Sequence, residues 1–275
     1  MITDIKKDNL DQLKILLEKK VEEFNCHAYI DSDPIQIPHI FKKNEDIEIA
    51  AFLSASIAWG QRKTIIRNAR TLMKYMDDAP YDFITNFEEA DLKIFDHFKH
   101  RTLNSKDCVS ILKSLKNIYK KHGGLKGIFE NNYLDSASIH KTLIKFREIF
   151  LEVEHEKHVE KHVSNVLKNS AAKRLNLFLR WMVRKDLVGV DFGLWNKIPM
   201  SALLIPLDVH SGNTSRILGL LKSKQDNWNS VVELTENLRI FDPDDPVKYD
   251  YALFGIGVFD KYNGIYPPQF TNYSE

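Results

Sequence analysis

Two residues of this chain have the type and setting for covalent chemistry, a lysine at position 173 and an aspartate at position 208. Lys173 lies in Ala171-Ala172-Lys173-Arg174-Leu175-Asn176-Leu177-Phe178-Leu179-Arg180, which has helical spacing. Asp208 lies in Ile205-Pro206-Leu207-Asp208-Val209-His210: Pro206 ends the apolar run Ala202-Leu203-Leu204-Ile205, and Asp208 falls at the N-cap of the helix that follows. A neutral lysine amine is a nucleophile, and a carboxylate held nearby stabilises developing positive charge or moves a proton. Each residue also has a plainer reading, the lysine as part of a solvated helix face and the aspartate as a cap. The helix start favours an ionised Asp208 and apolar company opposes it, so both protonation outcomes stay open.

A second chemistry is suggested by Glu154-His155-Glu156-Lys157-His158-Val159-Glu160-Lys161-His162. On a helix, the four-residue step from His158 to His162 places both rings on one face, as a zinc site requires. The interleaved glutamates and lysines favour a solvated helix instead, and no metal or organic cofactor is expected. A metal hydrolase built on these histidines would need a carboxylate beside them. No histidine is followed directly by aspartate, which counts against a His-Asp phosphohydrolase.

Two basic segments contain no acid: residues 62–74, with Arg62, Lys63, Arg67, Arg70 and Lys74, and residues 173–185, with Lys173, Arg174, Arg180, Arg184 and Lys185. Such segments suit a phosphate backbone, or are ordinary amphipathic helices. Trp59, Trp181, Trp195 and Phe254 are candidates for stacking on a nucleobase, although most aromatics on helices belong to the core.

The elements that must position these residues are helices. Residues 4–25 place Leu10, Leu13, Leu16, Leu17, Val21 and Phe24 on one stripe. Similar spacing predicts helices near 46–58, 62–77, 106–121, 136–152, 156–168, 171–185, 211–223, 228–239 and 246–258. No two-residue period with β-branched enrichment occurs, so the expected fold class is all-α. Pro and Gly punctuate at 31–34, 79–80, 123–124, 189–193 and 242–246, and residues from 264 onward read as an irregular tail. At 275 residues, with 43% apolar and 28% charged residues, the chain is long enough for one sizeable core. The N-terminus has no apolar signal core and no stretch reaches the roughly 18 apolar residues of a membrane span, so a cytoplasmic location is expected. Cys26 and Cys108 alone exclude a disulfide framework and a four-cysteine cluster. The net charge of +1 argues against a tail that coats nucleic acid by charge, but not against a basic face.

The block around Lys173 and Asp208 resembles the helix-hairpin-helix DNA glycosylases, most closely the 8-oxoguanine glycosylase branch. In that branch a lysine opens the second hairpin helix, and an apolar-Pro-apolar-Asp-Val-His sequence follows, as in Ile205–His210 here. Ala51–Ser56 followed by Gln61-Arg62-Lys63 is similar to the family's early helix and DNA-facing loop, and Asp250-Tyr251-Ala252-Leu253-Phe254 to its late helix. The whole chain also looks like a bacterial family known only as a domain of unknown function. The resemblance spans roughly residues 45–260 and is densest around 171–220. Two departures stand out. The glycine-rich hairpin is replaced by Leu167-Lys168-Asn169-Ser170-Ala171-Ala172, and residues 184–201 look like an insertion between the lysine and the aspartate.

The resemblance implies a single helix-hairpin-helix glycosylase-like unit over residues 1–275. Two helical lobes, 45–150 and 1–44 plus 151–260, would flank a cleft, with 261–275 as a tail. It implies an enzyme that binds double-stranded DNA, extrudes a damaged base (an oxidised purine) and cuts its N-glycosidic bond, without an obligatory protein partner. Lys173 would attack C1′, and strand cleavage would follow by elimination from a Schiff base. The amine must be neutral to attack, a state favoured by desolvation and by charge from Arg174, Arg180 or Arg184. Asp208 would stabilise the cationic sugar. Asp250 and Phe254 would contact the base, His210 a phosphate or loop, and Gln61 or Arg62 would fill the vacated stack. Lys63, Arg67, Arg174 and Arg180 would hold the DNA backbone. The alternative is a catalytically inactive module that binds nucleic acid or another partner on the same scaffold.

Overall fold

A computed structural model describes residues 7–261 of the chain. Its first helix, α1 (Lys7–Phe24), forms where apolar residues recur at four-residue steps, and Leu13, Leu17 and Val21 are buried along that stripe. There follow α2 (His27–Ser32), α3 (Asn44–Ser56), α4 (Arg62–Tyr75), α5 (Pro80–Asn86), α6 (Ser105–Lys121), α7 (Gly124–Ser136) and α8 (Ile139–Phe150). The second half contains α9 (Lys173–Val183), α10 (Val209–Ile217), α11 (Trp228–Arg239) and α12 (Tyr249–Val258). Among the described residues there is no strand, only the isolated bridges His100–Leu103 and Ser170–Asn227. The protein is all-α, and no helix among the described residues is long and apolar enough to cross a membrane.

The centre of the fold is α3. It is buried continuously from Ile47 to Ala55, so it is covered on every side rather than along one stripe. It packs against α4, α5 and α9. Phe52 meets Phe146, Phe150 and Phe178 at centroid distances of 5.4–5.8 Å, and Phe129 stacks on Trp195 at 5.3 Å. Glu48 is the charged group in this core. It accepts from Trp195 Nε1 and Tyr119 Oη, each at 3.0 Å. Burial pushes its carboxyl above the usual range, with those donors opposing.

Residues 184–201, between α9 and the segment that leads to Asp208, are built into the core. The segment folds back along α9, with Phe192 N donating to Trp181 O at 2.8 Å and Trp195 N to Met182 O at 2.9 Å. Trp195 and Asp191 are buried in consequence. Two expectations need correction. The helix expected over 156–168 is two 3-10 turns, Lys157–His162 and Val166–Lys168. Val159, Val163 and Val166 keep helical spacing and are buried, but β-branched residues and Asn165 are weak helix formers. The helix expected over 211–223 ends at Ile217, where Gly219 turns left-handed (φ +73°) and Leu220 N returns to Ser215 O. Helices α2, α5 and α7 were not anticipated. The expected start of α1 before residue 7, and the expected tail beyond residue 261, lie outside the described residues.

Candidate functional site

Lys173 is the first residue of α9. The turn before it reaches the helix through two left-handed residues, Asn169 (φ +59°) and Ala172 (φ +47°), neither of them glycine. The turn is held by Ser170 Oγ, which accepts from Ala172 N, and by Trp228 N, which donates to Asn169 O. Its ammonium therefore stands at the positive end of the helix dipole, an unfavourable place unless an anion faces it. The anion is Asp208. Lys173 Nζ lies 3.1 Å from Asp208 Oδ2, with side-chain exposures of 33% and 11%.

Asp208 is the N-cap of α10, as its sequence position suggested. Its Oδ1 accepts from the amides of His210 (2.8 Å) and Ser211 (2.9 Å), and Ser211 Oγ returns a bond from Asp208 N in a capping box. Burial alone would raise its carboxyl, but Lys173 and the Ser211 amide outweigh it, and Asp208 is held below the usual carboxylate range. Of the two outcomes left open by the sequence, these partners favour the anion.

Around this pair α10 and α12 approach closely. A Cβ on Gly257 would lie 2.9 Å from Thr214 Oγ1 and 3.2 Å from His210 O, so only a residue without a side chain fits there. That contact brings the exposed His210 ring edge-on to Phe254, with centroids 6.0 Å apart. The Arg62 guanidinium, from the first residue of α4, lies 5.2 Å from the Phe254 ring and 5.2 Å from Phe259. Gln61 is exposed just before it, and Lys63 and Arg67 are exposed farther along α4.

Beneath the pair lies a buried charge network. Arg180 binds Asp250 and places Nε 3.3 Å from Asp191. Arg184 reaches Asp186 (2.8 Å), Asp191 (3.1 Å) and Asp245 (2.9 Å). Both guanidiniums lie over the Tyr251 ring. Burial pushes the Asp250 carboxyl up to about 7; Arg180 opposes, and the negative charge of Asp208 adds to the rise.

A model of a family described as "Protein of unknown function (DUF2400)" matches residues 33–259. The chain belongs to that family. None of the curated proteins and none of the solved structures compared with it matches. The matched span in this DUF2400 protein takes in Lys173, Asp208, Asp250 and Phe254 and leaves out α1.

Of the candidates named from sequence, Lys173, Asp208, His210, Arg62 and Phe254 come together in this DUF2400 chain. Others do not serve as expected. Arg180 is 1% exposed and neutralised by aspartates, so it is not a surface contact for a backbone phosphate. Arg174 bolts α9 to the α3–α4 connection, with Nη1 2.7 Å from Ser56 O and its guanidinium 4.7 Å from the Trp59 ring; burial lowers it to about 10. Asp250 is committed to Arg180 rather than free at the surface. Trp181 and Trp195 are core residues and are unavailable for stacking. The charge of Arg180 and Arg184 is likewise taken up by acids, not left bare beside Lys173.

A second cluster joins His158 and His162, weighed above as a zinc pair, to a carboxylate that the sequence did not point to. Asp107, in the first turn of α6, lies against His158 and His162, with one donor atom of each residue within 4.8 Å of the others. The sequence placed Asp107 at the start of the helix expected over 106–121, which an Asn104–Asp107 capping box begins in the fold. It carried no sign that residues more than 50 positions later would meet that aspartate.

Proposed function

We propose that this protein is a DNA glycosylase of the helix-hairpin-helix type, in which Lys173 is the nucleophile and Asp208 its electrostatic partner. The observation that carries the reading is the 3.1 Å approach of Lys173 Nζ to an ionised Asp208 at the facing starts of two helices. In the reaction Lys173 first passes a proton to Asp208, the neutral amine then forms a bond to C1′ of the damaged nucleoside as the glycosidic bond breaks, and the base leaves with the electron pair and takes up that proton. Asp208 stabilises the cationic sugar and returns protons. The C1′–O4′ bond then opens as a proton passes from the lysine nitrogen to O4′, and the Schiff base so formed is hydrolysed or eliminates to nick the strand. The reading calls for no metal or organic cofactor.

The surroundings support it. Phe254, His210 and Arg62 offer a stacking ring, a polar tip and a planar cation beside the pair. Lys63 and Arg67 are exposed cations on α4, suited to phosphates of duplex DNA. The turn Asn169–Ala172 between the Val166–Lys168 turn and α9 would be the hairpin, and the lobes 45–150 and 151–260 would flank the cleft. A cytoplasmic location and an oxidised purine as substrate belong to the same proposal. The glycine-free hairpin favours the second reading, a binding module without bond cleavage, because tight backbone approach to a phosphate is where glycine helps.

Borohydride trapping on duplex oligonucleotides containing 8-oxoguanine, uracil or an abasic site separates the two. A covalent adduct with the wild-type protein, absent in Lys173→Ala, is the expected result. Binding without an adduct on any lesion removes Lys173 as the nucleophile and favours the non-cleaving module or a lysine-independent glycosylase.

A further inference from the structure

We propose that Asp107, His158 and His162 form a binding site for one divalent first-row transition-metal ion, of which zinc is the representative. The site lies away from the Lys173–Asp208 pair and does not depend on the glycosylase reading. Asp107 is fully buried, and its Oδ2 already accepts from Asn104 N at 3.0 Å. His158 Nδ1 lies 2.7 and 2.8 Å from its two oxygens. His162 Nε2 lies 3.3 Å from Asp107 Oδ2 but off the direction of a hydrogen bond, so this nitrogen, on a residue only 8% exposed, has no hydrogen-bond partner. A buried imidazole nitrogen without a partner is costly. It also stands within 4.8 Å of a carboxylate oxygen and a nitrogen of a second imidazole, a set of donors that a cation among them would satisfy in one step.

The donor set selects the ion. Two imidazoles and one carboxylate suit zinc and its neighbours, whereas magnesium and calcium prefer oxygen throughout. Three protein donors leave one tetrahedral position, and the 41% exposure of the His158 side chain leaves that side open to water. Lys161 Nζ contacts Nε2 of His158, the ring nitrogen turned away from Asp107. Metal at Nδ1 moves the ring proton to Nε2 and turns the exposed Lys161 aside. Trp59 stacks on the His162 ring at 6.0 Å and carries Arg174 on its face. A bound ion would therefore tie the Lys157–His162 turn to α6 and, through Trp59, to the start of α9.

The test uses the full-length protein freed of metal with a chelator. Zinc is titrated by calorimetry and cobalt by visible absorption, on the wild type, His158→Gln, His162→Gln and His155→Gln. His158 is exposed, so its variant keeps the fold even if His162→Gln does not. His155, in the same segment but hydrogen-bonded to Val153 O, is the control. The expected result is one zinc per chain, cobalt bands of four-coordinate type, and a zinc-dependent rise in Tm. His158→Gln should weaken zinc by about 10–100-fold, the scale of losing an interaction that matters to a metal site, or by more, with His155→Gln unchanged. No stoichiometric zinc, equal affinity in wild type and His158→Gln, or an equal response to magnesium overturns the proposal.

Discussion

Asp208 is asked to do two things at once. As a cap it satisfies two amides at the start of α10, and as an anion it faces Lys173. Asparagine is as good a cap as aspartate, so Asp208→Asn separates the roles. On the proposed function, this variant should change Tm by only a few degrees, since a cap is retained and the lost ion pair is partly exposed. The rate of borohydride trapping should fall by about 100-fold or more, the scale of a lost acid–base or electrostatic group. A trapping rate unchanged within threefold would remove Asp208 from the chemistry. The cap could be read from sequence because it is local: a proline, an aspartate and a helix within a few residues. Arg180 could not. It stood among cations at helical spacing, while its partners Asp191 and Asp250 lie on a loop and a helix that only folding brings to it.

Helix α9 and its C-cap carry four cations, Lys173, Arg174, Arg180 and Arg184. Lys173 at its start is partly exposed, whereas Arg180 and Arg184 toward its end are buried in aspartates. Replacing Arg180 by leucine leaves Asp191 and Asp250 with less compensation in an apolar setting. The loss should be about 3–5 kcal/mol, the cost of breaking a buried pair from one side, read as a lower urea midpoint. A loss under about 1 kcal/mol, the exposed-pair scale, would mean that water reaches the network. The helical period of residues 171–185 foretold α9 itself. The 3-10 turns at 157–168 and the buried path of 184–201 were not foretold. The stripe of Val159, Val163 and Val166 suits a full helix as well as 3-10 turns, residues 184–201 have no stripe, and the placement of both rests on distant partners such as Asp107 for His158 and Phe129 for Trp195.

For the whole molecule, the buried carboxylates set how stability follows pH. Asp250 has an ordinary value of 3.8 and about 7 in the fold. Between those values the unfolded chain has released a proton that the native protein still holds, so this group's contribution is present below pH 3.8 and fades as pH rises to about 7. Glu48 and Asp245 are shifted in the same direction. Asp208, Asp186 and Asp242 are shifted downward, and their contribution is lost as pH falls below the ordinary carboxylate range. Denaturant unfolding between pH 4 and 8 should show stability declining toward neutrality, with Asp250→Asn flattening part of that slope. An identical slope in the variant would assign the decline to other groups. The all-helical class was legible across the chain, because the 3.6-residue period is a property of each segment alone. Which helix meets which was not.

The packing of α1 against α12 has a consequence for the order in which the protein is made. Helix α1 leaves the ribosome long before α12, the described helix it packs against most. At about 5–20 residues per second, Leu13, Leu17 and Val21 wait on the order of 10–50 s before Tyr251 to Ile256 exist to cover them. During that interval the N-terminal stripe is an exposed sticky surface, and a chaperone that holds nascent chains would find it first. A chain terminated before α12 would keep that stripe bare for good, which makes the native closure of the molecule a late event that every copy must reach.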